Sequence, residues 1–190
     1  MRVVAGSLRG RPIVAPPGDN TRPTTDRARE AVFNALHSLG VVEGATVADL
    51  FAGSGALGIE ALSRGATSCV FVERDRKALE AIRTNIDKLG LAGRARVLAG
   101  DVSSNLGSLR GLDLVLVDPP YDFDDWSSLL QRCAPCLAPD AVVVAESGRE
   151  LPALAGWDVV RSKRYGRAWV SFLVRSADAA TGPTGTVRPE

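Results

Sequence analysis

The spacing of apolar and polar positions changes character three times along this 190-residue chain. Near the start, two short apolar runs, Val3-Val4-Ala5 and Ile13-Val14-Ala15, flank Gly6-Ser7-Leu8-Arg9-Gly10-Arg11. Such runs around a glycine-containing turn predict a β-hairpin. Pro16-Pro17-Gly18-Asp19-Asn20 then breaks regular structure. Beyond it, Ala28, Ala31, Val32, Ala35, Leu36 and Leu39 keep the 3.6-residue period of a helix. Thr24 or Thr25 is placed to cap that helix, Asp26 lies in its first turn and Gly40 just past its end.

From residue 46 the period alternates. The apolar runs Val47–Leu50, Cys69–Val72, Arg96–Leu98, Leu112–Val117 and Ala141–Ala145 read as strands. Helical stretches separate them: Gly58–Arg64, Arg76–Leu89, a short piece near Val102–Leu109, and Trp126–Cys133. Repeated strand–helix units imply a parallel sheet covered by helices on both faces. Asp158–Tyr165 and Ala168–Val174, joined around Gly166-Arg167, should finish that sheet as a hairpin. The expected fold is therefore α/β: a Rossmann-like doubly wound sheet of about seven strands, mostly parallel, with one antiparallel strand near the C-terminus. Residues 1–20 form a hairpin extension, 21–175 the main domain, and 176–190, rich in Ala, Thr, Gly and Pro, a disordered tail.

Composition narrows the class. Apolar residues make up 45% and charged residues 24%, as in ordinary globular domains. No stretch approaches the roughly 18 apolar residues of a membrane span, and Met1-Arg2-Val3 does not open a signal peptide. With three cysteines, the expectation is a cytoplasmic protein without disulfide or metal staples.

The net charge of +1 hides an uneven distribution. Residues 1–29 carry +4, residues 30–160 carry −7, and residues 161–175 carry +5. Two basic ends around an acidic middle suit a protein whose ends meet a polyanion. The candidate contacts are Arg9, Arg11, Arg22, Arg27 and Arg29 at one end, with Lys163, Arg164 and Arg167 at the other.

Candidate chemistry begins where the first parallel strand ends. In Asp49-Leu50-Phe51-Ala52-Gly53-Ser54-Gly55-Ala56-Leu57-Gly58, the glycines have the Gly-x-Gly-x-x-Gly spacing that lets backbone approach a cofactor at a helix N-terminus. Glu73, eighteen residues after Gly55, ends the second strand, where a carboxylate can accept from both ribose hydroxyls. This much fits a nicotinamide cofactor as well as an adenosine-based methyl donor. Asp49, expected at the loop, favours the second. Beside a phosphate at about 4 Å it would cost on the order of 4 kcal/mol at an effective dielectric of 20. S-adenosylmethionine has no phosphate, and its sulfonium and ammonium suit an acidic loop. Asp101, after the third strand, is placed either to accept from an adenine amino group, with the Val102 N–H beside it, or to cap a helix. The candidate cofactor residues are thus Asp49, Ala52, Gly53, Ser54, Gly55, Gly58, Glu73, Arg74, Asp101 and Val102.

Asp118-Pro119-Pro120-Tyr121 directly follows the buried run Leu112–Val117 and supplies the candidate catalytic residues. The prolines stop the strand and fix the direction of the Pro119 carbonyl. Asp118 adds a second acceptor, and Tyr121 offers a flat face. The set suits a planar ring bearing an exocyclic NH2, whose lone pair is delocalised and must be freed for attack on a sulfonium methyl. Positive charge then grows on nitrogen, where Asp118 stabilises it in the transition state.

These residues resemble the S-adenosylmethionine-dependent Rossmann-fold methyltransferases that modify amino groups. More narrowly, the chain resembles the ribosomal RNA small subunit methyltransferase D family over about residues 1–175. That likeness rests on Val4-Ala5-Gly6-x-x-Arg9-Gly10-Arg11, Arg22-Pro23-Thr24-Thr25-Asp26-Arg27-Ala28-Arg29-Glu30, the glycine loop and Asp118-Pro119-Pro120-Tyr121. It implies methylation of a guanine 2-amino group in 16S rRNA, within the small subunit or its assembly intermediate, with the N-terminal hairpin touching RNA. Tyr121 stands where many members have Phe, and either ring stacks.

The rival readings are an adenine-N6 or cytosine-N4 target in DNA or RNA, and a catalytically inert RNA-binding module. Cytosine C5 chemistry needs a thiolate in a Pro-Cys pair. Pro135-Cys136 is such a pair, but nothing in the sequence turns it toward the methyl donor.

Overall fold

A computed structural model describes residues 1–16 and 24–177. Helix α1 (Thr24–Ser38) is followed by β1 (Thr46–Leu50), α2 (Ala56–Ser63), β2 (Ser68–Glu73), α3 (Arg76–Leu89) and β3 (Ala95–Ala99). Then come α4 (Val102–Leu106), β4 (Leu112–Val117), α5 (Trp126–Cys133), β5 (Leu137–Ser147), β6 (Trp157–Tyr165) and β7 (Ala168–Arg175). The strands make one seven-stranded sheet in the order β3-β2-β1-β4-β5-β7-β6. Strands β1 to β5 pair in parallel, and β7 runs antiparallel to both β5 and β6. The sheet is therefore the expected one: doubly wound, with a single reversed strand.

Residues on β1 and β4 are almost all buried, because helices cover both faces of the sheet. One face packs Val47, Leu114, Leu116, Val142 and Val144 against Phe33 and Leu36 of α1, Ile59 and Leu62 of α2, and Ile82 and Ile86 of α3. The other packs Leu50, Val115, Val117 and Val143 against Leu106, Trp126, Leu129 and Leu130 of α4 and α5. The winding direction changes between neighbouring β1 and β4, so a crevice opens beyond their C-terminal ends.

The N-terminal segment folds back on itself as an irregular hairpin. Its two limbs meet in one antiparallel bridge, Arg2 to Pro12, and neither forms a regular strand. Val3 N–H donates to Arg11 and Ile13 N–H to Met1, but much of the remaining backbone turns to α2. Val4 and Ala5 N–H donate to the Glu60 carboxylate, at 2.8 and 3.0 Å. Ser7 N–H donates to the Ser63 carbonyl, and Leu8 N–H to its hydroxyl. The result is an arm laced to a helix. A Cβ on Gly6 would lie 1.9 Å from the Ser63 carbonyl oxygen, so only glycine permits this approach.

The expected break at 17–20, Arg22 and most of the expected tail lie outside the described residues. Among the described residues, no helix is long and apolar enough to cross a membrane.

Candidate active site

The three glycines after β1 have three different tasks. A Cβ on Gly58 would lie 2.4 Å from Phe71 Cε1 and 2.6 Å from Cys69 Sγ, so its absence seats α2 on β2. Gly55, at φ +78°, starts α2 in the left-handed region. Gly53, at φ +55°, has nothing within 4 Å of where a Cβ would stand. The loop is thus open at Gly53 and closed behind it, which leaves a cradle that a ligand can fill. Phe51 holds φ +59° without being glycine, a local cost of about 1–3 kcal/mol that the surrounding packing must offset.

Glu73 reaches this loop. Its Oε2 accepts the Gly53 N–H at 2.8 Å, and its Oε1 accepts those of Arg74 and Asp75 at 2.7 and 2.8 Å. A carboxylate has about four acceptor sites, so three fixed bonds orient it and leave capacity for a ribose hydroxyl. Asp101 pairs with Arg74, Oδ1 to Nη1 at 3.2 Å. Its carboxylate does not cap α4, although its backbone carbonyl accepts from Ser104 and Asn105. Asp101, Arg74 and Val102 line a cleft of about 310 Å³ together with Phe51, Pro120, Phe123 and Asp124. Phe51 and Phe123 stand 5.6 Å apart, and Phe123 meets Trp126 edge-on at 5.2 Å. This aromatic row joins the glycine loop to the segment after Tyr121, and sequence reasoning did not single it out.

Asp49 is not where the sequence placed it. It is 1% exposed, and its Oδ2 accepts the Gly58 N–H at 2.8 Å from beneath the loop. Burial pushes its carboxyl up to about 8; the Gly58 bond lowers it and the Glu73 charge raises it. Near pH 7 it is therefore mostly protonated, and the acidic character expected of this loop falls to Glu73. Ala52 is buried, while Ser54 donates from Oγ to Met1 Sδ at 3.6 Å.

The corner after β4 is pinned. Asp118 N–H donates to the Leu50 carbonyl at the end of neighbouring β1, at 3.4 Å, and Phe123 N–H closes a turn onto the Pro120 carbonyl at 2.9 Å. Asp118 and Pro120 are exposed, Pro119 is buried, and Tyr121 is 55% exposed. The Tyr121 ring lies along Gly148, just past β5, where a Cβ would stand 3.2 Å from Tyr121 Cδ1. Asp118 and the Gly53 loop thus follow adjacent strands at the switch point, as a donor and acceptor site requires.

The basic residues divide. Arg9, Arg11 and Arg27 are exposed, and Arg9 and Arg27 line a groove of about 770 Å³ with Arg2, Asp26 and Glu30. Arg11 also donates from Nη2 to the Lys88 carbonyl at the end of α3. Lys163, Arg164 and Arg167 are exposed around the β6–β7 hairpin, whose Tyr165 packs on the same sheet face as Met1 and Leu8. Arg29, expected among the RNA contacts, is 4% exposed. Its Nη2 donates to the Arg2 carbonyl and to Asp26, and its Nε lies 3.6 Å from Glu60. Its charge is spent inside the fold.

All three cysteines are buried, and burial pushes the Cys133 thiol up to about 12. Cys136 directs its thiol to the Leu106 carbonyl in the core, away from the cleft.

The chain has relatives among known proteins. Residues 1–174 match the family described as Conserved hypothetical protein 95. Ribosomal RNA small subunit methyltransferase D of Escherichia coli K12 is 37% identical over 185 residues, covering 93% of this chain and 91% of that protein. The chain belongs to this methyltransferase D family. A Bacillus subtilis member, YlbH, named provisionally as an rRNA methyltransferase, is 40% identical over 182 residues, covering 90% and 97% of the two chains. The solved structure of Escherichia coli yhhF, provisionally named a methyltransferase, superposes with a TM-score of 0.82 at 36% identity, covering 93% and 98%.

Proposed function

We propose that this chain methylates the exocyclic 2-amino group of a guanine in 16S ribosomal RNA, within the small subunit or its assembly intermediate. Methylation of ribosomal RNA with S-adenosylmethionine as donor is the activity of the family. The observation that carries the finer reading is the pinned Asp118-Pro119-Pro120-Tyr121 corner beside the open Gly53 cradle.

The cradle fits the donor by its chemistry: a loop open at Gly53, the oriented Glu73 carboxylate for the ribose, and Asp101 with Val102 for the adenine edge. When bound, S-adenosylmethionine supplies an electrophilic methyl carbon on a sulfonium. The protein's part is played at the acceptor. The Asp118 carboxylate and the Pro119 carbonyl accept the two N–H bonds of the amine, which frees its lone pair. Asp118 then stabilises the positive charge that grows on nitrogen. The methylated nitrogen is strongly acidic, and Asp118 or water takes its proton, so no histidine is needed. Tyr121 stacks on the base, worth roughly 1–3 kcal/mol. The exposed arginines of the arm and the β6–β7 hairpin hold the phosphate backbone.

The first test is thermal melting with and without S-adenosylmethionine. Binding to the folded state raises the midpoint. An unchanged midpoint at saturating donor favours the inert RNA-binding module instead.

A further inference from the structure

We propose that Asn85 is a positioning residue that ties the donor loop to the N-terminal arm, so that RNA on the arm and donor in the loop strengthen each other's binding. This rests on the reading of the arm as an RNA contact.

Asn85 lies on α3 at 1% exposure, among Ile82, Ile86 and Leu89. Its Oδ1 accepts the Val14 N–H at 2.8 Å. Its Nδ2 donates to the Val14 carbonyl at 2.9 Å and to the Ser54 carbonyl at 3.0 Å. One buried amide therefore holds the returning limb of the arm and the centre of the glycine loop. Ser54 stands between Gly53 and Gly55, both at positive φ, so its carbonyl direction depends on an outside anchor. Only a carboxamide offers an acceptor and two donors at once. An aspartate would set a carboxylate against two carbonyls, and an aliphatic side chain would leave three backbone groups unsatisfied.

Two further contacts make the connection more than a single bond. Met1 Sδ accepts from Ser54 Oγ, and Glu60 and Ser63, on the helix that the loop enters, hold Val4, Ala5 and Leu8. The arm thus touches the loop at Ser54 and the last turn of α2 behind it. RNA that orders the arm lowers the cost of ordering the loop, and by linkage a filled loop tightens RNA binding.

The test titrates S-adenosylhomocysteine, which lacks a transferable methyl, into the full-length protein with and without saturating 16S rRNA at low salt. In the wild type, RNA tightens its binding by about fivefold or more. Asn85→Ala, and to a smaller extent Val14→Pro at an exposed position, lower that factor while each variant still binds RNA. Val14→Pro removes the N–H that Asn85 accepts without touching the α3 core. A wild-type factor of one with RNA bound, or variants that keep the wild-type factor, overturns the proposal. RNA that fails to bind the wild type overturns the RNA reading beneath it.

Discussion

The Asp49 carboxyl accepts the Gly58 N–H at 2.8 Å from inside the core, so the residue that looked like the loop's charge is its hidden strut. It connects the end of β1 to the first turn of α2, across the loop that both enclose. That leaves Glu73 as the carboxylate on the loop itself, bonded to Gly53.

Stability should fall with rising pH through this group. The Asp49 carboxyl sits at about 8 in the fold against an ordinary 3.8, chiefly because it is buried. Between those values the folded state holds a proton that the unfolded state has lost. The stabilisation is complete below pH 3.8 and is lost progressively as pH climbs through about 8. Asp49→Asn keeps the acceptor for Gly58 and removes that slope, which is at most about 1.4 kcal/mol per pH unit. Urea midpoints at pH 5 and pH 7.5 should converge in the variant and differ in the parent.

Asp118→Ala should reduce methyl transfer by about 10²–10³-fold, the usual loss when a group acting on transition-state charge is removed. Affinity for S-adenosylmethionine, measured by calorimetry, should stay close to that of the parent. Near-normal turnover in this variant would remove Asp118 from catalysis.

Glu73→Ala should weaken donor binding by about 10–100-fold, the worth of hydrogen bonds to a charged group. Glu73→Gln should fall between the two, since an amide keeps one acceptor oxygen for the backbone N–H groups. An unaltered dissociation constant would show that the ribose lies elsewhere.

Arg29 and the pair Arg9 and Arg11 should separate cleanly. Arg29→Ala leaves buried Glu60 with Arg64 as its remaining cation, removes the partner of half-exposed Asp26 and orphans the Arg2 carbonyl, and should cost about 1–3 kcal/mol of stability. Arg9→Gln with Arg11→Gln should leave the fold nearly unchanged and lower the salt slope of RNA binding by about 0.7–0.9 per lost phosphate contact. Filter binding across a salt series, beside chemical denaturation, reads both.

The sheet was legible because its central strands are buried on both faces and appear as unbroken apolar runs, as in Leu112–Val117. Strand β5 begins earlier than expected, at Leu137, because its first residues pair with Leu112 across a register shift and include Pro139 and Asp140. The arm keeps the antiparallel return expected of a hairpin but not its regular strands, because further partners, Glu60 and Ser63, lie more than fifty residues away, beyond any local period. Asp49 carried a signal that was passed over: a residue within a central parallel strand has no exposed face. Asn85 carried one too, as the polar member of an apolar helical stripe between Ile82 and Ile86. Nothing in the sequence points to the contact of Gly148 with Tyr121, which depends on how two loops meet.

The central claim is that the Asp118-Pro119 corner activates a guanine amine. The most direct measurement incubates the protein with methyl-labelled S-adenosylmethionine and small ribosomal subunits or their assembly intermediates, then digests the RNA to nucleosides. The account predicts label in N2-methylguanosine, accumulating about 10²–10³-fold more slowly with Asp118→Ala. Label in N6-methyladenosine or N4-methylcytidine, or none in RNA at all, would contradict it.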